Sequence, residues 1–398
     1  MKKRVLFVVD ERKLGGVSIV LENILNKIDL KRLDITVLVL HNNGTRLSDL
    51  RPEIKVIYGP SSLDAVDQGV KALVLSGKIF KAAKKLYLAY LMKKGKAHKY
   101  LRKIRNNMNL GNYDIEVAFK AGICSVFVAS GDSKYKLNWV HEDYKTYNMT
   151  KRYEKYFKTV FDAFDKHIIV SEDAAKSFNE IYGCESKTVI IENYIDEAGI
   201  IAKAKQEADI TVSNKRLNIV TLGRFCYEKG FDRVITSLAK LKEDNIKIDK
   251  IKVYILGYGK EQSKLNKMIT EYGLENNVQV ITMGELENNP YAFMKNCDMY
   301  IMPSRSESFG MVRIEALILG LPVLTTNVAN TNKMINNEIG LVVENTDEGI
   351  YKGLKQILTD DELVSRLKEN TKYYTYEGEN KRIINNIMKV LEEETDEW

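Results

Sequence analysis

The sequence predicts two Rossmann-like α/β domains, each a parallel sheet covered by helices. Three observations carry this. Short apolar, β-branched runs alternate with amphipathic helical stretches in both halves of the chain, the rhythm of βαβ units. That rhythm pauses over a polar, charged stretch from Asp196 to Lys215 and then restarts. The length, 398 residues, is too great for one ordinary core and suits two domains of similar size.

The elements follow in order. Arg4–Asp10 (RVLFVVD) reads as a first strand; its apolar run is too short for a signal peptide and breaks at Asp10. A loop with Gly15 and Gly16 leads into a helix over Val17–Ile28, and Asp34–Leu40 and Ile54–Ile57 read as strands. A basic helical region covers Lys71–Arg105, interrupted near Gly95. Strand-like runs at Ile115–Phe119, Tyr135–Val140, His167–Val170 and Thr188–Ile191 follow, with a long helical stretch over Tyr144–Phe164. Ser171, with Glu172 and Asp173 behind it, marks a helix start. After the pause, Leu217–Leu222, Lys252–Leu256, Val278–Ile281, Met299–Met302 and Val323–Thr325 read as strands, with helices from Phe231 and over Glu261–Tyr272. The expected division is a first domain over 1–196, a connector over 197–216 and a second domain over 217–379. A last helix over 380–398 caps the second domain or crosses back to the first. Open α/β sheets place ligands where strands deliver their loops, so two such domains facing each other would enclose a cleft.

Composition narrows the function. Hydrophobic residues make up 44% and charged residues 29%, the balance of a soluble globular chain. No apolar run approaches the length of a membrane span. Cys124, Cys184, Cys226 and Cys297 are scattered without a CxxC pair, which fits reduced thiols in a cytosolic protein. The net charge of +7 is uneven: Lys71 to Arg105 holds 12 Lys or Arg and no Asp or Glu, interleaved with Leu75, Ile79, Phe80, Leu86, Tyr87 and Tyr90. This is either a solvated helical surface or a basic amphipathic face resting on anionic lipid headgroups. No nucleic-acid module accompanies it, so nucleic acid is not an expected partner.

Four sets of residues could carry chemistry. Arg224 and Lys229 in GRFCYEKG follow a strand and precede a helix, and two such cations suit a diphosphate. Glu307 and Glu315, eight residues apart in PSRSESFGMVRIEALILG, could accept hydrogen bonds from sugar and ribose hydroxyls. Gly310 between them allows a ligand close to the backbone. The bland alternative for Glu307 is a solvent-facing acid in a polar loop, whereas Glu315 sits among apolar residues and needs a partner. His141, just after a strand, is the best placed of four histidines, though a structural hydrogen bond is the commoner role for such a residue. Gly15 and Gly16 do not form GxGxxG, and ILGYGKEQ does not continue into it, which argues against hydride transfer. There is no GxxxxGK[ST], no HExxH and no compact His/Cys cluster, so no dedicated metal is expected.

With these motifs in order, the chain resembles the retaining group-1 glycosyltransferases (GT4), most strongly over Leu217–Val343. The matching runs are TLGRFCYEKGFD, VYILGYGKEQSKL and PSRSESFGMVRIEALILGLPVL, preceded by VIIENYID at Val189–Asp196. The resemblance implies a GT-B fold, two Rossmann-like domains facing across a cleft. It implies that Arg224 and Lys229 hold the donor diphosphate, that Glu315 binds the ribose and that Glu307 binds the transferred sugar. Phe309, Gly310 and Met311 would lie beside donor sugar and phosphates, Gly16 would approach the phosphates from the first domain, and His141 would sit near the reacting centre. No cofactor is implied, because the nucleotide-sugar, expected to be UDP-linked, is a substrate. The acceptor would be a lipid-linked or polymeric glycan of the cell surface, handled at the cytoplasmic membrane face. A soluble acceptor and a non-catalytic nucleotide-sugar binder are the alternatives. The run ANTNKMINNEIG departs from the family's glycine-rich loop, and Arg313 and Ser306 are distinctive positions read as surface variation.

Overall fold

The computed structural model describes residues 2–10, 16–41, 50–63, 69–144, 153–208, 210, 212, 215–286 and 289–392. Gly15 and residues 145–152 of the expected Tyr144–Phe164 helix therefore lie outside the described residues. The chain divides into two compact units, Met1–Tyr194 with Lys381–Trp398, and Ile195–Asn380.

The first unit is built on seven parallel strands: β1 (Lys3–Val9), β2 (Leu33–Val39), β3 (Lys55–Tyr58), β4 (Ile115–Ala118), β5 (Tyr135–Val140), β6 (Lys166–Ile169) and β7 (Thr188–Ile190). Their order is β3-β2-β1-β4-β5-β6-β7. Helices on both faces bury the central strands, so β1 from Val5 to Val9 and β2 from Ile35 to Val39 are buried without alternation. An aromatic cluster of Tyr144, Phe157, Phe161, Phe178 and Tyr182 fills one side of the core. Ser171 caps helix Glu172–Tyr182 as expected, its Oγ accepting the Ala174 amide at 3.1 Å. The basic region forms helices Val70–Leu75, Ile79–Lys93 and Ala97–Asn106, broken at Gly95, which takes a φ of +67°. Its last cation is withdrawn from that surface: Arg105 is buried and paired with Glu116.

The second unit has six parallel strands: β8 (Leu217–Arg224), β9 (Ile251–Tyr258), β10 (Val278–Thr282), β11 (Met299–Met302), β12 (Val323–Thr326) and β13 (Gly340–Val343). Their order is β10-β9-β8-β11-β12-β13. The stretch expected as a connector carries helix Glu197–Ala204, which lies within this unit. Helix Phe231–Glu243 packs on helix Asp347–Thr359 across a core of Val234, Leu238, Ile350 and Leu354. β13 and the helices Asp347–Thr359 and Leu363–Thr371 were not anticipated from the sequence.

Both sheets have a switch point where strand order reverses, between β1 and β4 in the first and between β8 and β11 in the second. Loops leaving such a pair of strands diverge, and ligands of open α/β sheets bind there. The expected site residues fall after these strands and their neighbour β5. Among the described residues no helix is long and apolar enough to cross a membrane.

Candidate functional site

In the second unit the site is assembled from the loops after β8 and β11. β8 ends in Arg224, which is exposed. The chain then turns through Tyr227–Lys229 to Gly230, which has a φ of +65° and opens helix Phe231–Glu243. A Cβ on Gly230 would collide with the Pro303 carbonyl, so glycine is what lets this turn lie against the start of the next loop. Arg305 then joins the two loops. Its guanidinium grips Asp232 in a fork, at 2.8 and 3.0 Å, donates to the Tyr227 carbonyl at 2.9 Å, and lies over the Tyr227 ring. Arg233, also buried, ties the same helix to Asn345 and Asp347 at 2.7 and 2.8 Å.

This stitching brings Lys229 to Glu307. Lys229 Nζ donates to Glu307 Oε1 at 2.6 Å, and Ser304 Oγ donates to the same oxygen at 2.7 Å. The Glu307 side chain is only 9% exposed, so it is not the solvent-facing acid of the bland reading. Burial alone would raise its pKa, but Lys229 and Ser304 outweigh burial and hold it below the usual carboxylate range.

Glu315 meets different surroundings. It lies on helix Met311–Ile318 and is buried, with the Tyr291 hydroxyl as its hydrogen-bond partner and the Lys203 charge further off. Burial prevails here and pushes its pKa up to about 7. Gly310, with a φ of +77°, opens this helix, Phe309 before it is buried, and Met311 is the first helical residue.

Arg313 is the main correction to the sequence reading. It is fully buried, not a surface variation. It donates to the carbonyls of Phe309 and Ala329 and to Thr331 Oγ1, each at 2.6 Å. The run that departs from the family pattern is thereby clamped to the Glu307 loop. Burial lowers the Arg313 pKa to about 10, against the opposing pull of Glu307.

The glycine-rich end of β9 has a steric origin. Gly257 and Gly259 take φ of +150° and +154°, and Cβ atoms there would strike the carbonyls of Gly223 and Phe225. Glycine at both positions lets β9 close on β8 where Arg224 emerges.

In the first unit, His141 follows β5 and is buried. Its ring is parallel to Trp139, 6.2 Å away, and 4.8 Å from Phe119. Burial lowers its pKa to about 3, against a hydrogen bond to the Phe119 backbone that favours the cation. The ring is therefore neutral near pH 7, with the Asn193 side chain as a second hydrogen-bonding neighbour. Beside it Lys120 pairs with Asp10 at 2.9 Å, and burial raises Glu142 to about 7 despite the Lys120 charge. Gly16 is exposed as the first residue of helix Gly16–Leu25.

The structure thus joins Lys229 and Glu307 directly, whereas Glu315 on the following helix bonds Tyr291 and Arg224 stands exposed at the end of β8. Arg305, Asp232, Ser304, Tyr291 and Arg313 were missed as supporting residues. Only Arg313 left a trace in the sequence, as a cation inside an apolar helical run. Among the described residues no group of His, Cys, Asp and Glu side chains could hold a metal ion.

Residues 202–374 match the family described as glycosyl transferases group 1. A similar protein is the N-acetylgalactosamine-N,N'-diacetylbacillosaminyl-diphospho-undecaprenol 4-alpha-N-acetylgalactosaminyltransferase of Campylobacter jejuni. It is 31% identical over 208 residues, 52% of this chain and 53% of the relative. The lipopolysaccharide core biosynthesis glycosyltransferase LpsE of Rhizobium meliloti is 27% identical over 189 residues, 47% of this chain and 52% of the relative. The chain spans about half the length of both relatives. Among solved structures, Anabaena Alr3699/HepE in complex with UDP and glucose aligns with a TM-score of 0.66 at 17% identity, over 96% of this chain and 99% of that one. The architecture is that of GT-B proteins, two Rossmann-like domains, each with a parallel sheet flanked by helices, and the chain is related to the glycosyltransferases that share it.

Proposed function

We propose that this chain is a retaining glycosyltransferase of GT4 type that moves a sugar from a UDP-linked donor to a lipid-linked or polymeric glycan acceptor in cell-surface polysaccharide synthesis. The observation that carries this reading is the Lys229–Glu307 contact beside the switch point of the second sheet. It sets a cation suited to a diphosphate against a carboxylate suited to a sugar hydroxyl. The UDP and glucose named for HepE and the diphospho-undecaprenol named for the Campylobacter relative support the donor and acceptor classes.

In this reading the leaving group is a nucleoside diphosphate that gains charge as the glycosidic bond breaks. Arg224 and Lys229 stabilise that charge. Lys229 has three donor hydrogens, enough to keep Glu307 while turning another to phosphate. Glu315 accepts hydrogen bonds from the ribose, and Glu307 from the transferred sugar. The acceptor hydroxyl delivers its proton to the departing phosphate on the same face of the sugar, so retention needs no protein nucleophile. Glu307 suits binding better than attack, because Lys229 and Ser304 already occupy Oε1. Phe309, Gly310 and Met311 flank the donor. In the first unit Gly16 is assigned to the phosphates and His141 to the reacting centre, where a neutral imidazole can accept a hydrogen bond but has no proton to spare as an acid. The work is assigned to the cytoplasmic membrane face, where the basic helices favour an anionic surface.

A panel of UDP-, GDP- and ADP-sugars tests the reading, scored by thermal protection and by slow donor hydrolysis. Protection by a UDP-sugar, with released sugar of retained configuration, is the expected result. Silence across the panel, with and without a polyprenyl-diphosphate acceptor, would overturn it.

A further inference from the structure

The helical hairpin of the first unit holds a feature that glycosyl transfer does not use. Helices Val70–Leu75 and Ile79–Lys93 are joined by a turn at Ser76–Lys78, in which Gly77 takes a φ of +72°. The turn is ordered: the Lys78 amide donates to the Leu73 carbonyl at 2.8 Å and Ser76 Oγ to the same carbonyl at 3.1 Å. The hairpin has a small core of its own, Leu73 and Ala82 with Val70 against them. The far end of the longer helix is anchored in the main core by Leu88, Leu91 and Met92.

Between those anchors the tip is turned outward. Every residue from Val74 to Phe80 is exposed, including Leu75 at 79%, Ile79 at 65% and Phe80 at 88%. Single exposed apolar residues need no explanation, but a cluster at one ordered tip is a different matter. Lys71, Lys78 and Lys84 around the tip are exposed, and no Asp or Glu occurs from Lys71 to Arg105. An uncharged apolar protein surface would match the apolar residues yet leave the lysines without counter-charge. A bilayer with anionic headgroups satisfies both, apolar side chains below and phosphates around.

We propose that this hairpin docks on an anionic lipid bilayer, with Leu75, Ile79 and Phe80 entering the boundary between headgroups and acyl chains and the surrounding lysines meeting lipid phosphates. This deepens the reading of a lipid-linked acceptor but does not require it, because the docking involves no sugar donor. The hairpin is a wedge and not only a charged patch, so salt should loosen the attachment without abolishing it.

The test uses the full chain and vesicles of phosphatidylcholine, alone or mixed equally with phosphatidylglycerol. The parent is expected to sediment with the mixed vesicles only. The L75S/I79S/F80S variant should lose at least about tenfold in vesicle affinity while keeping its circular dichroism and nucleotide affinity. K71Q/K78Q/K84Q should weaken binding and flatten its salt dependence. In F80W, the emission added over the parent should shift to shorter wavelength on mixed vesicles and be quenched by acyl-brominated lipid. Undiminished binding by the serine variant, or an unshifted F80W spectrum on bound protein, would overturn the wedge. A dimer in lipid-free solution that the serine variant dissociates would assign the tip to a second copy of the chain and overturn the proposal as well. Failure of the nucleotide-sugar panel alone would leave these outcomes unaffected.

Discussion

The loop after β11 and the helix that follows it carry the same side chain, eight positions apart, with pKa values displaced in opposite directions. Glu307 in the loop has Lys229 and Ser304 on one oxygen and is held ionised. Glu315 on the helix has a phenol for a partner and a pKa near 7. Both are sunk into the same unit, so depth does not separate them; the charge of the partner does. A loop stitched to its neighbour by Arg305 can present a lysine to a carboxylate. A helix flank packed on Tyr291 offers only a neutral donor.

The sharpest way to break this contrast is Lys229→Ala. It strands Glu307 as a buried charge, and chemical denaturation should record a loss of about 3–4 kcal/mol, with nucleoside diphosphate affinity falling alongside. Unchanged stability would mean that Glu307 reaches water without its lysine. Next comes Arg313→Met, which removes a buried cation from the carbonyls of Phe309 and Ala329. A loss of about 3 kcal/mol is expected, not recovered by Arg313→Lys, because a single ammonium cannot span the acceptors of a fork. Full recovery by lysine would show that charge alone matters at this position.

The smallest effect concerns Glu315 and has a defined sign. Its folded pKa of about 7 lies above the value of about 4.3 for an exposed carboxyl. Between those values the folded chain holds a proton that the unfolded chain has released. The group's contribution is therefore intact below about pH 4 and is lost as the pH rises through 7, a decline of which roughly 2.5 kcal/mol falls between pH 5 and 8. Denaturation of parent and Glu315→Gln across pH 5–8 should differ by that slope. Nucleotide affinity should run the other way in the parent, rising as the carboxylate forms. A parent slope identical to that of the glutamine variant would remove Glu315 as its source.

Much of this was legible in the sequence where its physical cause was local. β1, β2 and β8 are buried over most of their length, and their largely apolar, β-branched runs announce them. Ser171 caps its helix through an amide three positions on, well within reach of a sequence pattern. β13 escaped because GLVV is four residues long and none of its last three is fully buried. Glu307 and Lys229 were identifiable as residues, but not as a pair, since 78 positions separate them. Arg305 and Asp232 are joined over 73 positions and match no local motif. Arg313 was misjudged because a cation in an apolar run looks like an outward-facing residue until the carbonyls that receive it are known.

Within the second unit, Asn380 receives the Ile195 amide at 3.1 Å and donates to the Ile195 carbonyl at 2.7 Å. The first and last residues of that unit are thus clasped by one side chain. Except for Gly16, everything proposed to hold the donor belongs to a unit whose two ends meet, set between two stretches of the first unit. Under the proposed function donor preference becomes portable: a foreign insert grafted at these adjoining points is expected to change the donor bound while the first unit is left intact.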